Sequence, residues 1–325
     1  MKKLLVTISV FFVFLIAFAN ELVVYTYDSF VSGIGQKIVP VFEKMYGCKV
    51  KLLSFGDAGA VLARLIAEKK NPRADVIIGL DQGLLPKAIK AGVLERYTPV
   101  NLSLLKYQEL FNEYGVPYDF GSIAIVYNKE KIQNPPESFN DLLNPQFKGK
   151  IVVEDPRTSS TGLSFLLWTI AVYGDKYLDF WKKFKDNILT ITPGWDEAFE
   201  MLESGEAEMM VSYATDGAYS YYYYGSITYV PVIMKEGAFV QVEYASLIKN
   251  ARNPELAKRF LEFILMNYFQ KEVPLNQWML PVTQTELPEA FSYVPEIKKT
   301  LQVSDEIYDN LEEILKEWTK VIIGG

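Results

Sequence analysis

An α/β fold, organised as two lobes around parallel-sheet units, is predicted by three observations. Short β-rich runs alternate with segments of helical spacing, the pattern of a sheet covered by helices. The 325 residues exceed what one core usually holds, which points to two units, and half of them are hydrophobic, enough for a large core. The order of elements also restarts near the middle of the chain: a second strand–turn–helix unit follows a Pro- and Asn-rich connector, NPPESFNDLLNPQFKGK.

The first segment, MKKLLVTISVFFVFLIAFA, combines Lys2 and Lys3, an apolar stretch and an Ala-Phe-Ala box. It reads as a secretory signal peptide covering residues 1–19, removed after Ala19, so that the mature chain is periplasmic or extracytoplasmic. Next come LVVYTY (22–27) as a strand, a helix over 36–46, and VKLLSF (50–55) as a second strand. Asp57 precedes AGAVLARLIAEKK and suits the N-cap of a helix. DVIIGL (75–80) is a third strand and leads into a helix through Leu84, Leu85, Ala88 and Ile89.

Three strands thus end near an aspartate: Asp28, Asp57 and Asp81. Ligands of open α/β sheets bind outside the carboxyl ends of the strands, where such carboxylates suit a cation or an amino group. Helix capping explains each of the three equally well. Further on, VPYDFGSIAIVYNK is extended, and IVVEDPRTSSTGLSFLLW is a strand, a polar turn and a helix apolar nearly all round. WDEAFEMLESGEAEMMVSY reads as helix then strand, FVQVEYASLIKNA as extended, and PELAKRFLEFILMNYF as one amphipathic helix.

Composition removes several classes of function. The chain has no histidine, so neither a Ser-His-Asp nor a Cys-His arrangement can be built. Its single cysteine, Cys48, permits no internal disulfide and no Cys/His metal site. The net charge of −7 makes nucleic acid and anionic lipid poor partners and leaves a cationic small ligand compatible.

Two stretches suit a binding cleft. Ser159, Ser160 and Thr161 stand at a helix start, where free N–H groups and hydroxyls can receive an anion or polar oxygen; an ordinary N-cap gives the same sequence, and the lysine and glycine spacing of a P-loop is missing. Aromatics stand at the ends of elements: Trp195 in TPGWDEAF, Tyr213 and Tyr219 in YATDGAYSYYYY, and Trp278 in NQWMLPV. Each can wall a cleft and hold a flat cation on its π-face, or anchor a core. Neighbouring tyrosines 221–224 cannot all face one cleft.

Taken in order, VVYTYDSF, RADVIIGLDQGLL, VPYDFGSIAIVYNK, EDPRTSSTGLSFLLW, GWDEAF, SYATDGAY and QWMLPV resemble the periplasmic thiamine-binding proteins of ABC importers, across nearly all of the chain beyond the leader. The resemblance implies the two-lobe type 2 periplasmic binding fold, with a ligand cleft between lobes formed by residues 20–120 with 243–283 and 121–242 with 284–325, and with crossovers near 120–126 and 240–246. It implies a monomeric, non-enzymatic binder of thiamine or its mono- or diphosphate, without cofactor or metal, that serves a membrane permease. Tyr27 and Asp57 then match first-lobe site positions, with Asp57 accepting from the pyrimidine amino group. Ser159, Ser160 and Thr161 match the segment for the hydroxyl or phosphate end, and Trp195, Tyr213, Tyr219 and Trp278 match the aromatic walls. Two features depart from the pattern: Ile34 stands near where the family can carry a tryptophan, and Asp216 introduces a carboxylate. A ferric-ion binder of the same fold and a thiaminase-like enzyme using Cys48 are the alternatives.

Overall fold

A computed structural model describes residues 20–324; the expected signal peptide lies outside the described residues. The first unit runs β1 (Glu21–Thr26), α1 (Asp28–Ser32), α2 (Ile34–Tyr46), β2 (Lys49–Ser54), α3 (Ala58–Ala67), β3 (Val76–Asp81) and α4 (Leu84–Ala91). The long β4 (Val116–Asn128) leads to the second unit: β5 (Ile151–Glu154), α5 (Ser160–Tyr173), α6 (Tyr177–Phe184), β6 (Ile188–Thr192), α7 (Trp195–Ser204), β7 (Met209–Tyr213), α8 (Asp216–Tyr224) and β8 (Tyr229–Val232). The chain returns through β9 (Ala238–Leu247) to α9 (Pro254–Ile264), α10 (Asn267–Gln270), α11 (Val273–Asn276) and β10 (Leu280–Pro281), and ends with β11 (Thr300–Leu301), α12 (Asp305–Asp309) and α13 (Leu311–Ile323).

The strand order is β2-β1-β3-β9-β4-β7-β5-β6. The parallel pairing expected from the alternation holds within each unit, for β1 with β2 and β3 and for β5 with β6 and β7. It fails between them: β9 runs antiparallel to β3 and β4, and β4 antiparallel to β7 and β8. The reason is that β4 and β9 belong to no strand–helix–strand crossover and cross from one unit to the other. Residues 116–122 of β4 pair with β9 and residues 123–127 with β7, so the strand changes partners at Ser122/Ile123.

Local chemistry accounts for most element boundaries. Asp57 caps α3, and the helices α2, α4, α7 and α8 stop at Gly47, Gly92, Gly205 and Gly225, all left-handed. The expected single helix over PELAKRFLEFILMNYF is two: α9 ends at Ile264, Met266 is extended, and α10 begins anew. The break seats fully buried Gln270, whose Nε2 donates to the carbonyls of Ile264 and Tyr118, both at 2.9 Å, and whose Oε1 accepts from Val282 N–H. The last helix packs on α6, where Trp318 meets Trp181 edge-to-face at 5.5 Å. Among the described residues, no helix is long and apolar enough to cross a membrane.

Candidate functional site

The carboxyl ends of the parallel strands in both units point at one cavity of about 300 Å³, within the usual size range of small-molecule sites. Of the nine residues picked from the sequence, Tyr27, Asp57, Ser160, Thr161, Trp195, Tyr213, Tyr219 and Trp278 line it. Ser159 does not: it is the buried N-cap of α5, and its Oγ accepts from Gly162 N–H. The three strand-end aspartates also separate. Asp57 lines the cavity, Asp81 caps α4 by accepting from Gly83 and Leu84 N–H, and Asp28 is exposed in the first turn of α1. Ile34 is fully buried, and Gly33 beside it forms that part of the cavity wall.

The floor is a hydrogen-bonded network around Glu243, a residue the sequence reading missed. Glu243 Oε2 accepts from the hydroxyls of Tyr27, at 2.7 Å, and Tyr118, while Oε1 accepts from Gln241 Nε2 at 3.1 Å. Gln277 Nε2 donates to the Tyr27 hydroxyl at 2.6 Å, leaving Gln277 Oε1 buried without a partner. Near Glu243 lies Asp119, whose two carboxyl oxygens are buried without a hydrogen-bond partner. Burial, then the Glu243 charge, pushes its carboxyl far above the usual carboxylate range. Gly79 makes room for this floor: it has φ +101° at a bulge in β3, and a Cβ there would lie 2.4 Å from the Tyr27 ring.

The wall is aromatic. Trp195 stacks on Phe199 at 4.7 Å and 17°, Tyr219 meets Phe199 edge-to-face at 5.1 Å, and Trp278 meets Tyr219 at 5.1 Å and 81°. Trp278 holds φ +57°, a strained conformation for a bulky side chain and the kind that concentrates at binding sites. The tyrosine run divides. Tyr219 faces the cavity, Tyr221 stacks on Tyr293 at 4.0 Å, and Tyr222 and Tyr223 reach round to Trp278 with more than half of their surface exposed. The hydroxyls of Tyr219 and Tyr224 both donate to Glu203 Oε1.

Where the units meet, Asp57 bonds two helix starts. It caps α3 through Ala58 N–H at 2.6 Å and accepts from Trp195 N–H at the start of α7 at 3.2 Å, with Ser159 and Ser160 at the start of α5 close by. Burial pushes its carboxyl up, against those donors. Gly59 and Ala60 N–H donate to the Thr158 carbonyl, and a Cβ on Gly59 would stand 2.6 Å from that oxygen. The units therefore touch backbone to backbone at this edge. Among the other carboxyls lining the cavity, burial raises Asp216 to about 7 and Asp196 to about 6. Cys48 is buried, among different neighbours at the end of α2.

This two-lobed α/β architecture, with one cleft between units joined by crossover strands, defines a solute-binding protein. Residues 71–303 match the model of the bacterial extracellular solute-binding protein family, and the chain belongs to that family, whose members are binding proteins and not enzymes. It is similar to the thiamine-binding periplasmic protein of Salmonella typhimurium, 35% identical over 310 residues that cover 94% of this chain and 95% of the relative. The thiamine-binding periplasmic protein of Brucella melitensis is 38% identical over 306 residues, covering 92% and 91%. A solved periplasmic thiamin binding protein superposes with a TM-score of 0.89 at 35% identity, covering 93% of this chain and 96% of that one.

Proposed function

We propose that the chain captures thiamine in the interlobe cleft, outside the cytoplasm, and delivers it as a monomer to an ABC importer. The carrying observation is the lining itself: the rings of Trp195, Phe199, Tyr219 and Trp278 interleaved with carboxyl groups and, among the described residues, no lysine or arginine. A flat cation such as thiazolium gains about 0.5–2 kcal/mol on each aromatic face, besides burial. The aminopyrimidine supplies donors that suit the Asp57 carboxylate and the unpartnered Oε1 of Gln277. The identity to relatives named for thiamine binding supports the same ligand.

In this reading the lobes are residues 20–120 with 243–283 and 121–242 with 284–325, and they close by bending at the crossovers. The partner change in β4 at Ser122/Ile123 supports a hinge there. No cofactor or metal enters the scheme.

Calorimetric titration of refolded protein with thiamine tests it. Tight binding that Trp195→Ala weakens by about tenfold or more is expected, from the loss of one cation–π face and its buried area. Absence of heat from the folded wild type would sink the proposal. Delivery is tested separately: deletion of the gene should abolish thiamine uptake.

A further inference from the structure

The cavity presents charge of one sign. Asp57, Asp196, Glu203, Asp216 and Glu243 all line it, with no basic side chain among them. An anion would be received best at the start of α5, where helix N–H groups are free in principle. Two of the donors there are already engaged within the molecule: Gly162 N–H donates to Ser159 Oγ, and the Thr161 hydroxyl is paired with the Tyr213 hydroxyl at 2.9 Å.

Asp216 is one of these carboxyls. It is 3% exposed, it lines the cavity, and its Oδ2 has no partner. Beside it stands Ser212, whose Oγ accepts from the Trp195 indole N–H at 2.9 Å. Glu154, 1% exposed with both carboxyl oxygens unpartnered, lies close enough to feel the charges of Asp57 and Asp216. A phosphate monoester carries about −1.5 to −2 near neutral pH. Buried here it would meet like charge and would find no cation to pair with.

We propose that Asp216 acts as a specificity determinant against phosphate esters, so that the cleft selects thiamine with its free hydroxyethyl arm over the mono- and diphosphate. The proposal rests on the thiamine-capture reading above. Asp216 acts by like charge, added to that of the other carboxylates lining the cavity, so removal of its charge should relax the discrimination without inverting it.

The test is parallel titration of the wild type, Asp216→Asn and Asp216→Ser with thiamine and thiamine monophosphate at about pH 8, above the value of about 7 to which burial raises Asp216. Expected for the wild type is a preference for thiamine of about tenfold or more, narrowed about threefold or more in the variants, since one tenfold step is about 1.4 kcal/mol. Equal or tighter binding of the monophosphate by the wild type overturns the proposal and leaves thiamine capture standing. A preference that neither folded variant narrows overturns the role of Asp216. Failure of both ligands to bind the folded wild type removes the capture reading and this proposal together. The wild-type ratio needs no variant, so the proposal stays open to refutation even where a substitution unfolds the chain.

Discussion

The floor of the cleft and its aromatic rim face the same cavity but are built from opposite materials. On the floor, Tyr27, Tyr118, Gln241 and Gln277 converge on or beside one carboxylate, Glu243, and all are buried except Gln277, which is partly so. Every donor there has a fixed acceptor, and the low dielectric that strengthens those bonds makes a missing partner costly. On the rim, Tyr219, Tyr222, Tyr223 and Trp278 hold one another by ring contacts at 4.7–5.6 Å, and two of the tyrosines are more than half exposed. Stacking tolerates small displacements that a buried hydrogen-bond network does not. The difference teaches that the floor sets where a ligand sits, and the rim supplies adaptable apolar area that can follow the lobes as they move.

Substitutions can break this comparison, beginning with the largest effect. Glu243→Ala leaves two phenols and one amide without their acceptor. Denaturant unfolding should show a loss of about 3–5 kcal/mol, and thiamine affinity should fall by about a hundredfold. A near-neutral result would mean that the network adapts as readily as the rim. Trp278→Ala removes a ring that meets Tyr219, Tyr222, Tyr223 and Phe291. A drop in thiamine affinity of about tenfold is expected by titration, with a stability loss of about 1–2 kcal/mol. Tyr223→Ala removes a ring that is 57% exposed. Its expected effect is within about 0.5 kcal/mol in unfolding and about twofold in affinity. A cost comparable to that of Trp278→Ala would place Tyr223 inside the binding surface.

Much of the site was legible in the sequence because its signals are local. Asp57 stands directly before an apolar helical spacing, and the N-cap it makes involves the next residue. Trp195 and Tyr213 stand at element ends, where a side chain can leave the core and face a cleft, and Tyr219 follows in the first turn of α8. Ser159 carried the same signal as Ser160 and Thr161, but an N-cap turns its hydroxyl back onto its own helix. Glu243 carried no local signal. It is one polar residue in an extended run, and the partners that give it meaning, Tyr118 and Tyr27, lie 125 and 216 positions away.

By itself the sequence determined the alternation of strands and helices, the caps that bound them, the absence of histidine chemistry and of disulfides, and the residue types available to a cleft. These follow from periodicity, capping and composition, which act over a few residues or over none. Only the tertiary structure decided that β4 and β9 run antiparallel between two parallel units, that α9 breaks to seat Gln270, and that a carboxylate from one unit bonds a helix start in each. Those outcomes depend on which distant segments pack together, and the energy that selects them, burial of apolar surface with every buried donor matched to an acceptor, exists only once the whole chain is assembled.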